Sequence, residues 1–355
     1  MKRIFKQKSQ LIAMLFVGLM IGCSSDDTSI FENPDPDPNP DPVTLESTII
    51  FNELDPSLNK VTATAMGEAG GRVPGIISFT TEGKTQRRLY VTQNIAGQGD
   101  MPFSDFFDFD ADDLGVDVKG LLKADGSIDI DGTTKSAINF TFDLPVPDSV
   151  DDGEIVYSFW TTTGKGDFRD PSKRLKLGVG TITVSVGTGT NPAASLREFT
   201  GIRLAAPAAD GTSPSFFSSL NSTVYKISEG TEFAAFWDFG YFHLDSTGAN
   251  LASTRDYNPA VVDVPTTSGT PSEELNQTYF ELAAADNFAT VTMSGELDNL
   301  SVSTTSSQTI SNLAVGDVVE FIDQYGKKGL IKVTAIVPGF SPATNYIDID
   351  IKVQP

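Results

Sequence analysis

Gly180-Thr-Ile-Thr-Val-Ser-Val186 decides the fold class of this chain. Apolar and hydroxyl side chains alternate along it, and a period of two is the repeat of a β-strand with one face in a core. Working outward, six more segments of four to six residues alternate or run apolar: Val61–Ala65, Gly75–Thr80, Arg88–Thr92, Ser127–Ile130, Ala137–Phe142 and Ile155–Trp160. Gly, Pro, Asp or Asn separates most of them. Seven short strands over about 140 residues, with no long 3.6-residue period among them, predict a β-sandwich. Asp131-Gly132 predicts a hairpin joining Ser127–Ile130 to Ala137–Phe142, because glycine accepts positive φ. Gly164-Lys165-Gly166 marks another turn, after Trp160.

Gly187-Thr-Gly-Thr-Asn-Pro192 breaks the pattern with small, polar turn formers and reads as a linker. Beyond it, strands are expected over Glu198–Leu204, Ser222–Ile227, Ala234–Leu244, Tyr279–Leu282, Val318–Phe321, Leu330–Ile336 and Tyr346–Val353. Asp323–Lys328 reads as a glycine-containing hairpin loop. Ala283–Ala289 reads as one short helix, with Asp286 in its first turn. The expected architecture is all-β: two β-sandwich domains in tandem, over residues 45–190 and 195–355, behind a leader at 1–22 and a linker at 23–44.

Composition limits what these domains do. The 355 residues carry 47 Asp and Glu against 25 Lys and Arg, a formal net charge of −22. No basic cluster stands out, so the surface repels nucleic acid. One cysteine allows no intrachain disulfide, and one histidine, His243, excludes the usual zinc hydrolase sites. Stability must come from apolar cores, for which 24 Phe are available.

The first 22 residues read as a targeting segment. Lys2, Arg3, Lys6 and Lys8 precede an uncharged apolar run, Leu11–Ile21, that is too short to cross a hydrocarbon core of about 30 Å. Leu19-Met-Ile-Gly-Cys23 resembles the bacterial lipobox, which implies cleavage before Cys23 and lipidation of it. Several acyl chains hold a protein firmly where one does not. Ser24-Ser-Asp-Asp27 resembles the export signal of Bacteroidota lipoproteins displayed on the outer face of the outer membrane. Asn33–Pro42 alternates proline with Asp or Asn. That composition predicts an extended polyproline II stalk, roughly 30 Å long for ten residues.

Two further stretches carry a family resemblance. Phe236-Trp-Asp-Phe-Gly-Tyr-Phe242 followed by Ala249-Asn-Leu-Ala-Ser253, and Gly316-Asp-Val-Val-Glu-Phe321 followed by Gly326–Val333, resemble uncharacterised Bacteroidota surface lipoproteins. The resemblance implies immunoglobulin-like or other β-sandwich modules on a lipid tether. It implies no activity. Asp148-Ser-Val150 also resembles the O-glycosylation acceptor of these bacteria.

Candidate chemistry is sparse. Asp108, Asp110 and Asp112 have the opening spacing of a calcium loop, and calcium wants six to eight oxygens. The sixth position is Asp113 where an EF-hand has Gly, and the twelfth is Lys119 where it has Glu. A looser calcium site and a solvated acidic loop both remain open. In Ala234–Leu244 a strand would put Trp237 and Tyr241 on one face, with Asp238 on the other. Aromatics on both faces suit a strand buried on both sides. A sugar-binding reading has Trp237 and Tyr241 stacking on pyranose rings while Asp238 accepts hydroxyl hydrogen bonds. Trp160 is expected in the core of an immunoglobulin-like sandwich. His243 and Asp245 lack the Gly-x-Ser-x-Gly elbow of a serine hydrolase. No motif singles out a carboxylate pair for glycoside cleavage.

The expectation is a non-enzymatic, lipid-anchored surface protein that binds an extracellular ligand, foremost a glycan. A structural or adhesive protein contacting host or matrix proteins is the alternative, and a glycoside-active enzyme a remote one.

Overall fold

The computed structural model describes residues 47–82, 85–105, the backbone of 109–110, 121–123, 125–130, 137–163, 177–339, 341 and 343–355. Cys23, the Pro-Asp segment, Asp108, Asp112 and the side chain of Asp110 lie outside them. The described residues belong to one compact unit. Its first ten strands are β1 (Ser47–Asn52), β2 (Thr62–Gly67), β3 (Arg72–Thr80), β4 (Arg88–Ile95), β5 (Asp100–Pro102), β6 (Phe109–Asp110), β7 (Ile128–Asp129), β8 (Ala137–Pro145), β9 (Gly153–Thr162) and β10 (Gly180–Val186). Ten more follow: β11 (Arg197–Ala205), β12 (Pro214–Phe217), β13 (Val224–Lys226), β14 (Phe239–Leu244), β15 (Gly248–Ser253), β16 (Thr278–Leu282), β17 (Thr309–Leu313), β18 (Val318–Asp323), β19 (Lys328–Val337) and β20 (Tyr346–Val353).

The all-β reading holds, and the strands sort into two sandwiches. In the first, β1-β3-β8-β6 faces β2-β10-β9-β4-β5, with β7 also on β4. With β2, β5 and β7 left unlettered, the remaining strands in chain order make an ABED sheet against a GFC sheet, the immunoglobulin arrangement. The edge strand β1 departs from that arrangement by pairing parallel to β3. Parity along β10 works as its sequence demands: Ile182, Val184 and Val186 enter the core while Thr181, Thr183 and Ser185 stay outside it. Phe51, Phe79, Phe140, Phe142, Tyr157 and Phe159 are among the large side chains of the same core. The Tyr157 hydroxyl donates to the Pro145 carbonyl, tying β9 to the end of β8 as a tyrosine corner does.

In the second sandwich, β11-β20-β19-β18-β16 faces β13-β12-β14-β15-β17. Its core runs from Leu204, Ile331 and Ile349 across to Phe217, Phe239, Tyr241 and Leu251. A close approach recurs through both sandwiches. Gly75 pairs with Phe142, Gly240 with Phe216 and Gly329 with Phe321, each directly across two strands. A Cβ at any of the three glycines would run into the partner's ring. The aromatic ring lies flat over the bare backbone, which covers a position where a sheet would otherwise be thin.

Four local expectations need correction. Ser127–Ile130 and Ala137–Phe142 do not form a hairpin, because β7 joins β4 and β8 joins β3, in opposite sheets. A turn signal says that the chain reverses and is silent about which sheet receives each arm. Residues 283–289 are not helical. Among the described residues the α-helix is Val264–Ser268, capped by the Asp263 carboxylate on the Thr266 amide and closed by Gly269 at φ 73°. Ala234–Leu244 is not one strand: Ala234–Phe236 is a 3-10 turn, and β14 begins only at Phe239. Trp160 lies outside the first sandwich's own core, on the outward face of β9.

Candidate functional site

The outward faces of β4 and β9 organise the candidate site. Residues 88, 90, 92 and 94 share one face of β4, opposite 162, 160, 158 and 156 of β9. Arg88, at one end, is buried; its guanidinium donates to Ser127 Oγ at 3.0 Å and reaches Glu232 of the second sandwich at 3.5 Å. On the next rung Tyr90 and Trp160 lie directly opposite, rings stacked at 5.6 Å and 11°. Both are only 2% exposed, because this face is covered. They share an apolar cluster with Phe216, Tyr225, Phe236 and Trp237 of the second half of the chain. The two sandwiches are therefore fused through a hydrophobic seam.

Past that seam the sandwiches diverge around a cleft of about 490 Å³. Its first wall continues the same sheet face with Thr92, Ser158 and Asn94. The opposite wall comes from Arg197, Ser219, the Asp323–Lys327 turn and the end of β20. Asp323 shapes that turn, since its buried carboxylate accepts the amides of Tyr325 and Lys327, each at 2.9 Å. Gly326, at φ 86°, supplies the left-handed residue that the turn requires.

A polar network backs this second wall. Asp238 Oδ2 accepts from the Ser219 amide at 2.7 Å and the Ser219 hydroxyl at 2.6 Å. Its Oδ1 accepts from Asn276 Nδ2 at 3.1 Å. Asn276 Oδ1 in turn accepts from Gln324 Nε2 at 2.9 Å and the Tyr325 hydroxyl at 3.4 Å. Ser219 and Tyr325 line the cleft, while Asp238 and Asn276 stand one layer behind.

The residues expected to bind sugar are placed differently from that expectation. Trp237 is 0% exposed and stacks on Phe216 at 5.8 Å. Tyr241 is wholly buried in the second core, donates to Asn345 Oδ1 at 3.0 Å and has its phenol pushed up to about 12 by burial. Neither ring presents a face on which a pyranose can stack. Asp238 is buried too and is linked to the cleft through Ser219 and Asn276. Sequence reasoning missed Thr92, Ser158, Tyr325 and Lys327, and no local signal marks them, since the cleft exists only once the two sandwiches pack. His243 makes no hydrogen bond to a Ser or Asp among the described residues. No cluster of three or more His, Cys, Asp or Glu able to hold a metal forms among the described residues, which exclude the Asp108–Asp112 side chains.

Fold and cleft together define a class: a protein of two fused β-sandwiches with a polar pocket at their junction. No family model matches the chain, and no curated protein matches it. Among solved structures it is similar to a DUF4466 family protein from Parabacteroides merdae, at 11% identity and a TM-score of 0.34, over 81% of this chain and 94% of that one.

Proposed function

We propose that this protein is a non-enzymatic surface lipoprotein, anchored through Cys23 to the outer membrane, that holds an extracellular glycan in the cleft between its sandwiches. The observation that carries the binding reading is the cleft itself. A concave pocket with a few convergent polar groups at a junction of structural units is where small ligands bind. About 490 Å³ accommodates a short oligosaccharide. The polar groups that line it are mainly hydroxyl and amide, the partners that sugar hydroxyls use, and Val179 and Leu220 add an apolar end. The anchor rests on the lipobox-like Leu19–Cys23, and surface display on Asp26-Asp27.

Two experiments test the two halves. The purified protein, screened on a glycan array, is expected to bind a defined set of oligosaccharides saturably. Attachment to matrix proteins with no glycan bound at all would replace this reading with the adhesive one. Metabolic labelling with palmitate is expected to mark the wild-type chain and not Cys23→Ala, and protease added to intact cells should digest it. Equal labelling of both chains would remove the anchor from the proposal.

A further inference from the structure

We infer that the cleft takes an uncharged saccharide, and that the Thr92–Ser158 hydroxyl pair is its polar anchor. This rests on the cleft being the glycan site. The charged groups in the cleft are already committed to protein partners. Arg197 donates to the Leu220 carbonyl and Lys327 to the main-chain oxygen of Pro355. Asp323 is taken by the Tyr325 and Lys327 amides, and Asp100 accepts from Asn94 Nδ2 at 3.0 Å. The charged side chains that line the cleft, two cations and two carboxylates, balance, which leaves no net side-chain charge to select an anionic or cationic ligand.

The uncharged groups differ. Thr92 and Ser158 lie directly opposite across the β4–β9 ladder, which places their Cβ atoms about 5 Å apart. Both line the cleft, and neither hydroxyl makes a hydrogen bond to another described residue. Thr92 is only 4% exposed. The residue is buried but its hydroxyl oxygen is not, so both hydroxyls open on the cleft and are left to hydrogen-bond with whatever fills it. Two hydroxyls at that spacing suit adjacent hydroxyls of one pyranose. Leu220 and Val179 stand at the apolar end, where the C–H face of a ring can pack.

The test is calorimetric titration of the full mature chain with malto-, cello-, laminari- and xylotriose and with trigalacturonate. Binding of at least one neutral trisaccharide is expected, with an affinity unchanged between about 0.05 and about 0.5 M salt, since no ion pair would be screened. Thr92→Val keeps shape and β propensity while deleting the hydroxyl, and is expected to weaken binding up to about tenfold. Ser158→Ala should do the same, with both melting temperatures near wild type. Preference for trigalacturonate with strong salt dependence would overturn the inference and leave a glycan site standing. So would neutral binding that survives both variants. Failure to bind any saccharide would remove the glycan reading with it.

Discussion

Trp160→Ala tests the seam that fuses the two sandwiches. Parity places Trp160 on the outward face of β9, where an isolated sandwich would leave it wet, yet it is 2% exposed and stacked on Tyr90. Truncating a fully buried Trp costs about 3–5 kcal/mol through lost transfer energy and residual cavity. Losing the stacked pair contributes to that figure. For a unit of this size about 2 °C of melting temperature is lost per kcal/mol, so the midpoint should fall by roughly 6–10 °C. Met66→Ala is the control: Met66 is exposed on edge strand β2, and its loss should stay within about 0.5 kcal/mol.

Calorimetry supplies the midpoint, and fluorescence supplies the location. The chain has two tryptophans, so Trp160→Ala leaves Trp237 as the only one emitting. Trp237 belongs to the same cluster from the other sandwich. If the seam loosens, its emission should shift to the red before the main unfolding transition. A fall of less than about 2 °C with unshifted Trp237 emission would refute the reasoning, because the burial of Trp160 would then contribute nothing to joining the halves.

Gly240→Ala should destabilise by about 1–3 kcal/mol in a denaturant titration, since its Cβ would enter the Phe216 ring, whereas Gly295→Ala, with nothing within 4 Å, should be near neutral. Asp238→Asn sets its NH2 against either Asn276 Nδ2 or the Ser219 amide, donor to donor whichever way it turns; a loss of about 1–3 kcal/mol in the same titration is expected, together with weaker ligand binding through the displaced Ser219 and Tyr325. Stability should fall at both pH extremes, read as melting temperature against pH. Asp152, Asp210, Asp263, Asp286 and Glu296 are held below their ordinary values by Thr188, Thr212, Thr266, Lys332 and the Thr292 amide respectively. Their contribution is present above the usual carboxylate range of about 4 and disappears as pH drops through it. Burial raises Tyr225, Tyr241 and Tyr257, so their contribution is complete below pH 10.0 and lost as pH climbs toward about 12, where Tyr241 titrates in the folded chain.

What the sequence reveals is what parity controls. The alternation in β10 and the Gly-containing turn between β18 and β19 are local, and both are present. The outward face of β4 is not local. Arg88, Tyr90, Thr92 and Asn94 read as an ordinary solvent face with one aromatic, and only the second sandwich makes them in turn an ion-pair contact, a seam and a cleft wall. Trp237 differs: aromatics on both faces of Phe236–Phe242 point first to burial and second to a sugar platform, and Trp237 and Tyr241 are both buried. Asp263, Pro265 and Gly269 did carry the signals of a helix start and stop, around a segment too short to show helical periodicity.

The linker is the last point at which structure and composition part, and it bears on how the cleft works. Gly187–Pro192 has the composition of a loose tether, yet it is pinned at Thr188 and Asn191 and, just beyond it, at Ser195. The Thr188 amide and hydroxyl bond Asp152 at 2.7 and 2.9 Å, Asn191 Oδ1 accepts the Glu154 amide at 2.7 Å, and the Ser195 amide reaches Gln98 Oε1 at 2.9 Å. Gly187 and Gly189, at φ 60° and 72°, let the chain turn tightly enough to do this. With the Tyr90–Trp160 seam and the Arg88–Glu232 contact on the other side, the two walls of the cleft are held at a set spacing before any ligand arrives. Ordering a mobile wall on binding costs affinity, and rigidity beforehand removes that cost. On the proposed reading, an anchor of one pair of neutral hydroxyls would gain little energy per contact and would need walls already in place, which the seam and the pinned linker would provide.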